Sequence, residues 1–408
     1  MQYALFWCIG PLLGLLTGVQ PAAGFALLTH QAVVDSCWAR AVVPALERSY
    51  PGASAAQLRE ARSYAYGGAM LHDLGYFPGS AVLFSDLTHY VRPGDFVRAL
   101  QEEAHDRNEL AFALGALAHY VADAYGHPEA ANAVTSLVFP ELNSPLGSLV
   151  TYAEAPDQHS QIEFAFDVAQ LEAGYYRSEE FHEAIGTRVS RQALERAFQR
   201  TYGLPLAKVL PRVGPSLAVY RLFANQLLPA AARASLYLPS HQVRQLSPTE
   251  RRDYYARINT GRFRRRTRAQ ANRLSLGMHA LVAVVHTLPR CGVASLLAFR
   301  PLSPAALATM RCGFGEALAN YQTALADLNA PLPNLNLDTG QPIHVADYPL
   351  ADSTYAVWRR LLAQTTRKAG FWATVRQDLQ RLFHRGDDKA GYHEISGSAR
   401  NRHQPEPR

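Results

Sequence analysis

The side chains in this chain that are able to do chemistry together are imidazoles and carboxylates, and two of them stand out. His119 and Asp123 lie four residues apart within an apolar stretch from Asn108 to Asn132, NELAFALGALAHYVADAYGHPEAAN. Four residues make about one helical turn, so both side chains point into the same space. His127 follows after another four, between Gly126 and Pro128. A residue before proline is pushed away from helical geometry, so the spacing predicts that the helix ends at His127 and that this imidazole aims at a second point. His159 and Glu163 repeat the four-residue spacing further along. Buried polar groups require partners, and a metal cation held by nitrogen and oxygen donors supplies them. The alternative for His119 and Asp123 is a hydrogen-bonded core histidine beside a structural aspartate.

Helices must position these groups. Leu110, Phe112, Ala113, Leu114, Leu117, Ala118 and Val121 recur at helical spacing, which predicts one buried helix over most of 108–132. Residues 29–49 read as a helix capped by Thr29, and residues 54–72 as another capped by Ser54. A loop HDLGYFPGS (72–80) precedes a short segment, 81–91, that ends in His89-Tyr90. Arg92-Pro93-Gly94 reads as a turn and 95–105 as a helix, while His105 and Asp106 read as a cap and solvated turn. Residues 133–156, with three prolines, read as irregular. A helix starting at Pro156-Asp157 carries His159 and Glu163, and further helices are expected near 179–199, 213–236, 247–258, 274–288, 303–328, 351–365 and 370–384. Period-2 strand patterns are scarce, so the expected class is all-α.

The formal charge is +6 and 48% of residues are hydrophobic, which describes a folded protein compatible with anionic substrates or surfaces. Residues 1–24 resemble an export signal, with an apolar run followed by Pro21, Ala22 and Gly24. Cleavage after Gly24 would make Phe25 the amino terminus. Of four cysteines, Cys8 lies in that segment, and Cys291 with Cys312 is the one pairing suggested by an oxidising compartment. Zinc-finger spacing is absent, so a metal would be held by histidines and carboxylates.

The full set, namely Phe25, His30, Asp73, His89, His119, Asp123, His127, His159 and Glu163, resembles the zinc-dependent phospholipase C and S1/P1 nuclease superfamily in the order of its ligand types. The similarity covers about 25–180. It implies an all-α zinc domain that binds up to three Zn2+. Asp73, His89, His119 and Asp123 would hold one zinc. Phe25, through its amine and carbonyl, and His30 would hold a second, with Asp123 bridging. His127, His159 and Glu163 would hold the third. Asp73, Asp123 and Glu163 are the implied catalytic carboxylates, and the implied reaction is phosphodiester hydrolysis by a zinc-activated water. Familiar members begin with tryptophan where Phe25 stands, and they place two more residues between the bridging aspartate and the next histidine. His72 is a rival ligand beside Asp73. The short gap from Phe25 to His30 resembles the nucleases, but Glu163 resembles the phospholipases. The stretch AMLHDLGYFP lacks the Trp-Ala-Asp signature of the nucleases, and FALGALAHYVADAYGHPEAAN resembles the bacterial phospholipase C-like branch.

The expected organisation is a signal peptide (1–24), a zinc-binding catalytic domain (25–180), a helical extension packed on it (181–384) and a disordered polar tail (385–408). Residues 251–273 hold nine arginines and three aromatics, either a solvated face or a phosphate-binding patch. The two apolar pieces in 274–299 are each shorter than the roughly 20 residues of a membrane span. Asp338-Thr339-Gly340 matches the aspartic protease triplet but lacks a second copy, and 337–355 reads as a structured turn covering the zinc domain. The expected function is an exported phospholipase C, periplasmic, secreted or membrane-associated, acting at a phospholipid or membrane surface with no obligate protein partner. A nuclease of the same fold, with nucleic acid as substrate, and a non-catalytic metal-stabilised binding protein are the alternatives.

Overall fold

The computed structural model describes residues 27–143, 148–173, 187–224, 248–249 and 299–365, and the described residues contain helices and no strands. The centre is the helix Arg107–Gly126, the sixth in chain order and called α6 here. All of its residues except Arg107, Asn108 and Tyr125 are buried. A helix that is buried all round must be wrapped by others. Five precede it: α1 (Leu27–Cys37), α2 (Val43–Ser49), α3 (Ala55–Ala69), α4 (Val82–Tyr90) and α5 (Pro93–Glu102). After it come α7 (Asn132–Val138), α8 (Pro156–Ala173), α9 (Arg191–Tyr202), α10 (Leu206–Val209) and α11 (Val213–Leu222). The C-terminal half contributes α12 (Pro304–Ala326) and α13 (Pro349–Ala363). Helices α3, α5 and α12 pack along α6, α9 packs on α5, and α13 on α4.

Local chemistry sets many helix ends. Ser54 caps α3 in a reciprocal box with Gln57, and Asp106 caps α6 by accepting from the Glu109 N–H at 2.8 Å. Arg92, at φ 56°, turns the chain into α5, and its guanidinium bonds Asp95 and the Thr201 carbonyl.

Three expectations need correction. Thr29 does not cap its helix; it lies inside α1, and its hydroxyl donates to Asp167 on α8 at 2.6 Å. The backbone of His127 stays helical (φ −63°, ψ −50°), because the chain widens into a π turn over His127–Ala131 that accommodates Pro128. The helix therefore continues as α7, where irregular chain was expected. A second π turn, Trp38–Val42, joins α1 to α2.

Calls on the signal segment, the arginine-rich stretch, the apolar pieces of 274–298 and the tail fall outside the described residues, as does Cys291. Cys312 is exposed and Cys37 buried. No helix among the described residues is long and apolar enough to cross a membrane.

Candidate metal centre

The first half of the site depends on how closely α3 and α6 approach. A Cβ at Gly68 would collide with the Phe112 carbonyl, and one at Gly115 with the Ala65 carbonyl. With only hydrogens there, the two backbones meet and the Ala69 carbonyl reaches His119 Nδ1 at 2.8 Å. A carbonyl only accepts, so Nδ1 carries the proton and Nε2 faces Asp123 Oδ2, 2.9 Å away. His89, in the last turn of α4, is held in the same way. Its Nδ1 donates to the Ser85 carbonyl at 2.8 Å, and its Nε2 lies 3.4 Å from Asp123 Oδ2 and 3.6 Å from Asp73 Oδ1.

Asp73 is presented by a 3-10 turn, His72–Tyr76. Ser85 pins that turn by accepting from the Gly75 N–H and donating to the His72 carbonyl. His30 arrives from α1, stacked on His119 with ring centroids 4.0 Å apart and Nε2 3.5 Å from Asp123 Oδ1. Helix α1 is fixed from below by Asp167, which accepts from the Leu28 and Thr29 N–H groups and the Thr29 hydroxyl.

The second half starts at the π turn. It aims His127 Nε2 both at Asp123 Oδ1 (3.5 Å) and at Glu163 Oε1 (3.2 Å). His159, one turn before Glu163 on α8, places Nε2 3.0 Å from the same oxygen. The shortened Asp123–His127 gap therefore still brings His127 to His159 and Glu163. Asp338, which the sequence reading left in a covering turn, also points here, with Oδ1 3.6 Å from His127 Nδ1.

All these side chains are buried: none of His30, Asp73, His89, His119, Asp123, His127, His159, Glu163 and Asp338 is more than 3% exposed. Burial alone drags His30 below the usual imidazole range, reinforced by the neighbouring His119, and it pushes the Asp73 carboxyl well up. Burial also pulls His119 down, but Asp123 and Asp73 outweigh it and raise the group to about 9. Burial would raise Asp123 too, yet His119, His127 and His30 hold it well below the carboxylate range.

These residues fit a metal on the geometry of the polar atoms. His89 and His119 both direct Nδ1 to carbonyls, which brings their Nε2 atoms within 3.3 Å of each other and both toward the Asp123 carboxylate. Both Asp123 oxygens, Asp73 Oδ1, Glu163 Oε1 and both His159 nitrogens are buried without a hydrogen bond of acceptable geometry. Among the described residues, three groups have ligand atoms close enough for one ion: His30, His119 and Asp123; Asp73, His89 and His119; His127, His159 and Asp338. Imidazole with carboxylate is a zinc-type donor set.

The structure thus brings together eight of the nine predicted ligands, and Phe25 lies outside the described residues. His72 is buried against His119 with its rings stacked at 4.5 Å, but it joins none of the three groups. Asp338 was missed as a contributor. Its signal in the sequence was a carboxylate set between Leu335, Leu337 and a glycine turn, far from every other ligand.

Comparison with curated proteins and with solved structures returns no significant match. Residues 29–210 match the family model described as zinc dependent phospholipase C, a span that holds every described ligand except Asp338. With the helical fold and the buried histidine–carboxylate cluster, that match makes residues 29–210, somewhat less than half of the chain, similar to the zinc-dependent phospholipase C family.

Proposed function

We propose that this chain is an exported, zinc-dependent phosphodiesterase that hydrolyses phospholipids in the manner of a phospholipase C. The observation that carries the reading is the convergence of four imidazoles on one buried carboxylate, Asp123, inside the family-matched region. Asp73, His89, His119 and Asp123 would hold one cation, and His30, with Asp123 shared, would hold a second. His127, His159 and Glu163 would hold a third.

When bound, zinc supplies Lewis acidity, which makes hydroxide available near neutral pH and offsets charge on phosphoryl oxygens. The chain supplies orientation. The Ala69 and Ser85 carbonyls fix two imidazole tautomers, so the Nε2 atoms face inward without rearrangement. Tyr76 and Tyr152, both buried, lie with ring centroids 5.8 Å from His89 and 6.0 Å from His159, and they bring apolar surface against the donors. That surface lowers the local dielectric and strengthens each charge interaction.

In this reading residues 1–24 are removed on export, and the freed amine and carbonyl of Phe25 join His30 and Asp123. Residues 25–180 form the catalytic domain and 181–384 its extension. The test is zinc stoichiometry on protein beginning at Phe25, with turnover of a phosphocholine ester and of single-stranded DNA measured on the same sample. Near three zincs with ester turnover is expected. DNA cleavage would move the substrate to nucleic acid, bound metal without turnover would favour a binding protein, and no bound metal would overturn the reading.

A further inference from the structure

The third group of donors contains a residue that lies well outside the family-matched span, which ends at 210. Asp338 sits at the tip of a tight strap. The strap is closed by a bridge between Leu335 and Pro342, by the Asn336 N–H donating to the Gln341 carbonyl at 2.8 Å, and by the Gly340 N–H donating to the Asn336 carbonyl at 2.8 Å. The Asn336 side chain accepts from the Asp338 and Thr339 N–H groups and stiffens the tip.

This strap lies directly on the site helix. Gly340 has φ +65°, and a Cβ there would collide with the Ala124 carbonyl one residue past Asp123. The Asn132 amide donates to the Asp338 carbonyl at 2.8 Å, the Leu337 N–H to the His89 carbonyl at 3.3 Å, and the Tyr120 hydroxyl to the Pro333 carbonyl at 2.7 Å.

The two oxygens of Asp338 have different surroundings. Oδ2 accepts from the Tyr152 N–H at 2.8 Å and from the Tyr348 hydroxyl at 2.7 Å. Those two donors fix the carboxylate plane. Oδ1 is buried with no hydrogen bond of acceptable geometry, and it faces His127 Nδ1 at 3.6 Å, too long for one. The donor atoms of His127, His159 and Asp338 all lie within 4.8 Å of one another. Ligating carboxylates are commonly hydrogen-bonded through the oxygen that does not coordinate, and Oδ2 has that role here. Charge points the same way. Three dications bring six positive charges into a buried site in which Asp73, Asp123 and Glu163 offset three; Asp338 offsets a fourth, and uncompensated buried charge is costly.

We propose that Asp338 is a direct protein ligand of the metal at His127 and His159, so that this site is completed by the C-terminal half of the chain. The proposal rests on the metal-centre reading above. It is distinct from a role in which Asp338 orients His127 by accepting a hydrogen bond from Nδ1–H.

The test uses the full mature chain in three forms: wild type, Asp338→Asn and Asp338→Cys. Asparagine keeps a carbonyl oxygen able to accept a hydrogen bond but is a poor zinc ligand. Zinc per chain is measured against a graded chelator, and cobalt(II) is bound to the cysteine variant and followed by absorption. The expected results are that wild type holds three zincs, that Asp338→Asn gives up one of them at a chelator concentration at least about a hundredfold lower, and that Asp338→Cys with cobalt(II) gains a near-ultraviolet thiolate-to-metal band. His159→Ala added to Asp338→Cys should abolish that band. Three zincs in the wild type with no thiolate band in the cysteine variant overturns the proposal and leaves the metal centre standing. Unchanged zinc retention in Asp338→Asn does the same. No zinc in the wild type overturns both. Should the asparagine variant fail to fold, the cysteine spectrum still decides.

Discussion

The two ends of the buried centre are built differently. Around Asp123 and His119 every described donor comes from a span of fewer than a hundred residues, His30 to Asp123, and is set by helices packed side by side or by the short turn that presents Asp73. Two imidazoles there are locked by backbone carbonyls, which no side-chain substitution removes. Around His127 and His159 the donors need a π turn, a second helix and a strap that returns from position 338. The first end is fixed by helix packing, whereas the second depends on a seated loop. Metal retention should therefore be more robust at the first end to any change that loosens the C-terminal half.

The largest effect belongs to the one residue shared by both ends. Asp123→Ala should remove most bound zinc and cut phosphodiester turnover by at least about a hundredfold. Metal analysis and a turnover assay check it, and a variant retaining both would break the idea of a common bridge.

Asp167, on α8, tests the anchor that holds α1 and with it His30. Burial raises its carboxyl to about 7, although Leu28 and Thr29 donate to it. An acid whose folded pKa is raised contributes stability that is fully present below its unfolded value near 4 and is lost as pH rises through 7. Urea unfolding of wild type relative to Asp167→Asn should thus show the wild type losing on the order of a few kcal/mol between pH 4 and pH 7, and no further change above. A pH-independent difference would sink the assignment.

Gly340→Ala addresses the second end. With φ at +65° and the Ala124 carbonyl in the way, it should cost about 1–3 kcal/mol and lower zinc affinity at one site only. Equal loss from all sites would erase the contrast between the ends. Tyr348→Phe removes one donor from Asp338 and should weaken that same site about tenfold, as read by chelator competition. Ser54→Ala, at the cap of α3 far along the helix from Ala69, should cost about 1 kcal/mol of thermal stability and leave zinc content unchanged.

The same contrast explains what could be read from the amino acids. His119 with Asp123 and His159 with Glu163 declare themselves because one helical turn converts sequence spacing into spatial proximity. Ser54 and Asp106 declare helix starts through the same local chemistry, whereas Pro93, read as part of a turn, is the first residue of α5. The Thr29 cap failed because a carboxylate from α8, Asp167, took over the backbone donors of α1. The helix end predicted at His127 failed because a π turn can absorb a proline that an α-helix would reject, so the irregular stretch begins only after Val138. Asp338 escaped because nothing local distinguishes a turn aspartate in water from one pressed into a core; only packing more than two hundred residues away decides it.

The strap also carries a consequence for the order of events as the chain is made. Leu337, Asp338 and Gly340 emerge long after α6, so a nascent chain can assemble the helical bundle while the imidazoles and carboxylates at its open end are still hydrated. Contacts of such large sequence separation form late. Seating the strap is thus the step that strips water from charges already in place. The direction of synthesis becomes a direction of dehydration, from the Asp123 end of the centre toward the His159 end.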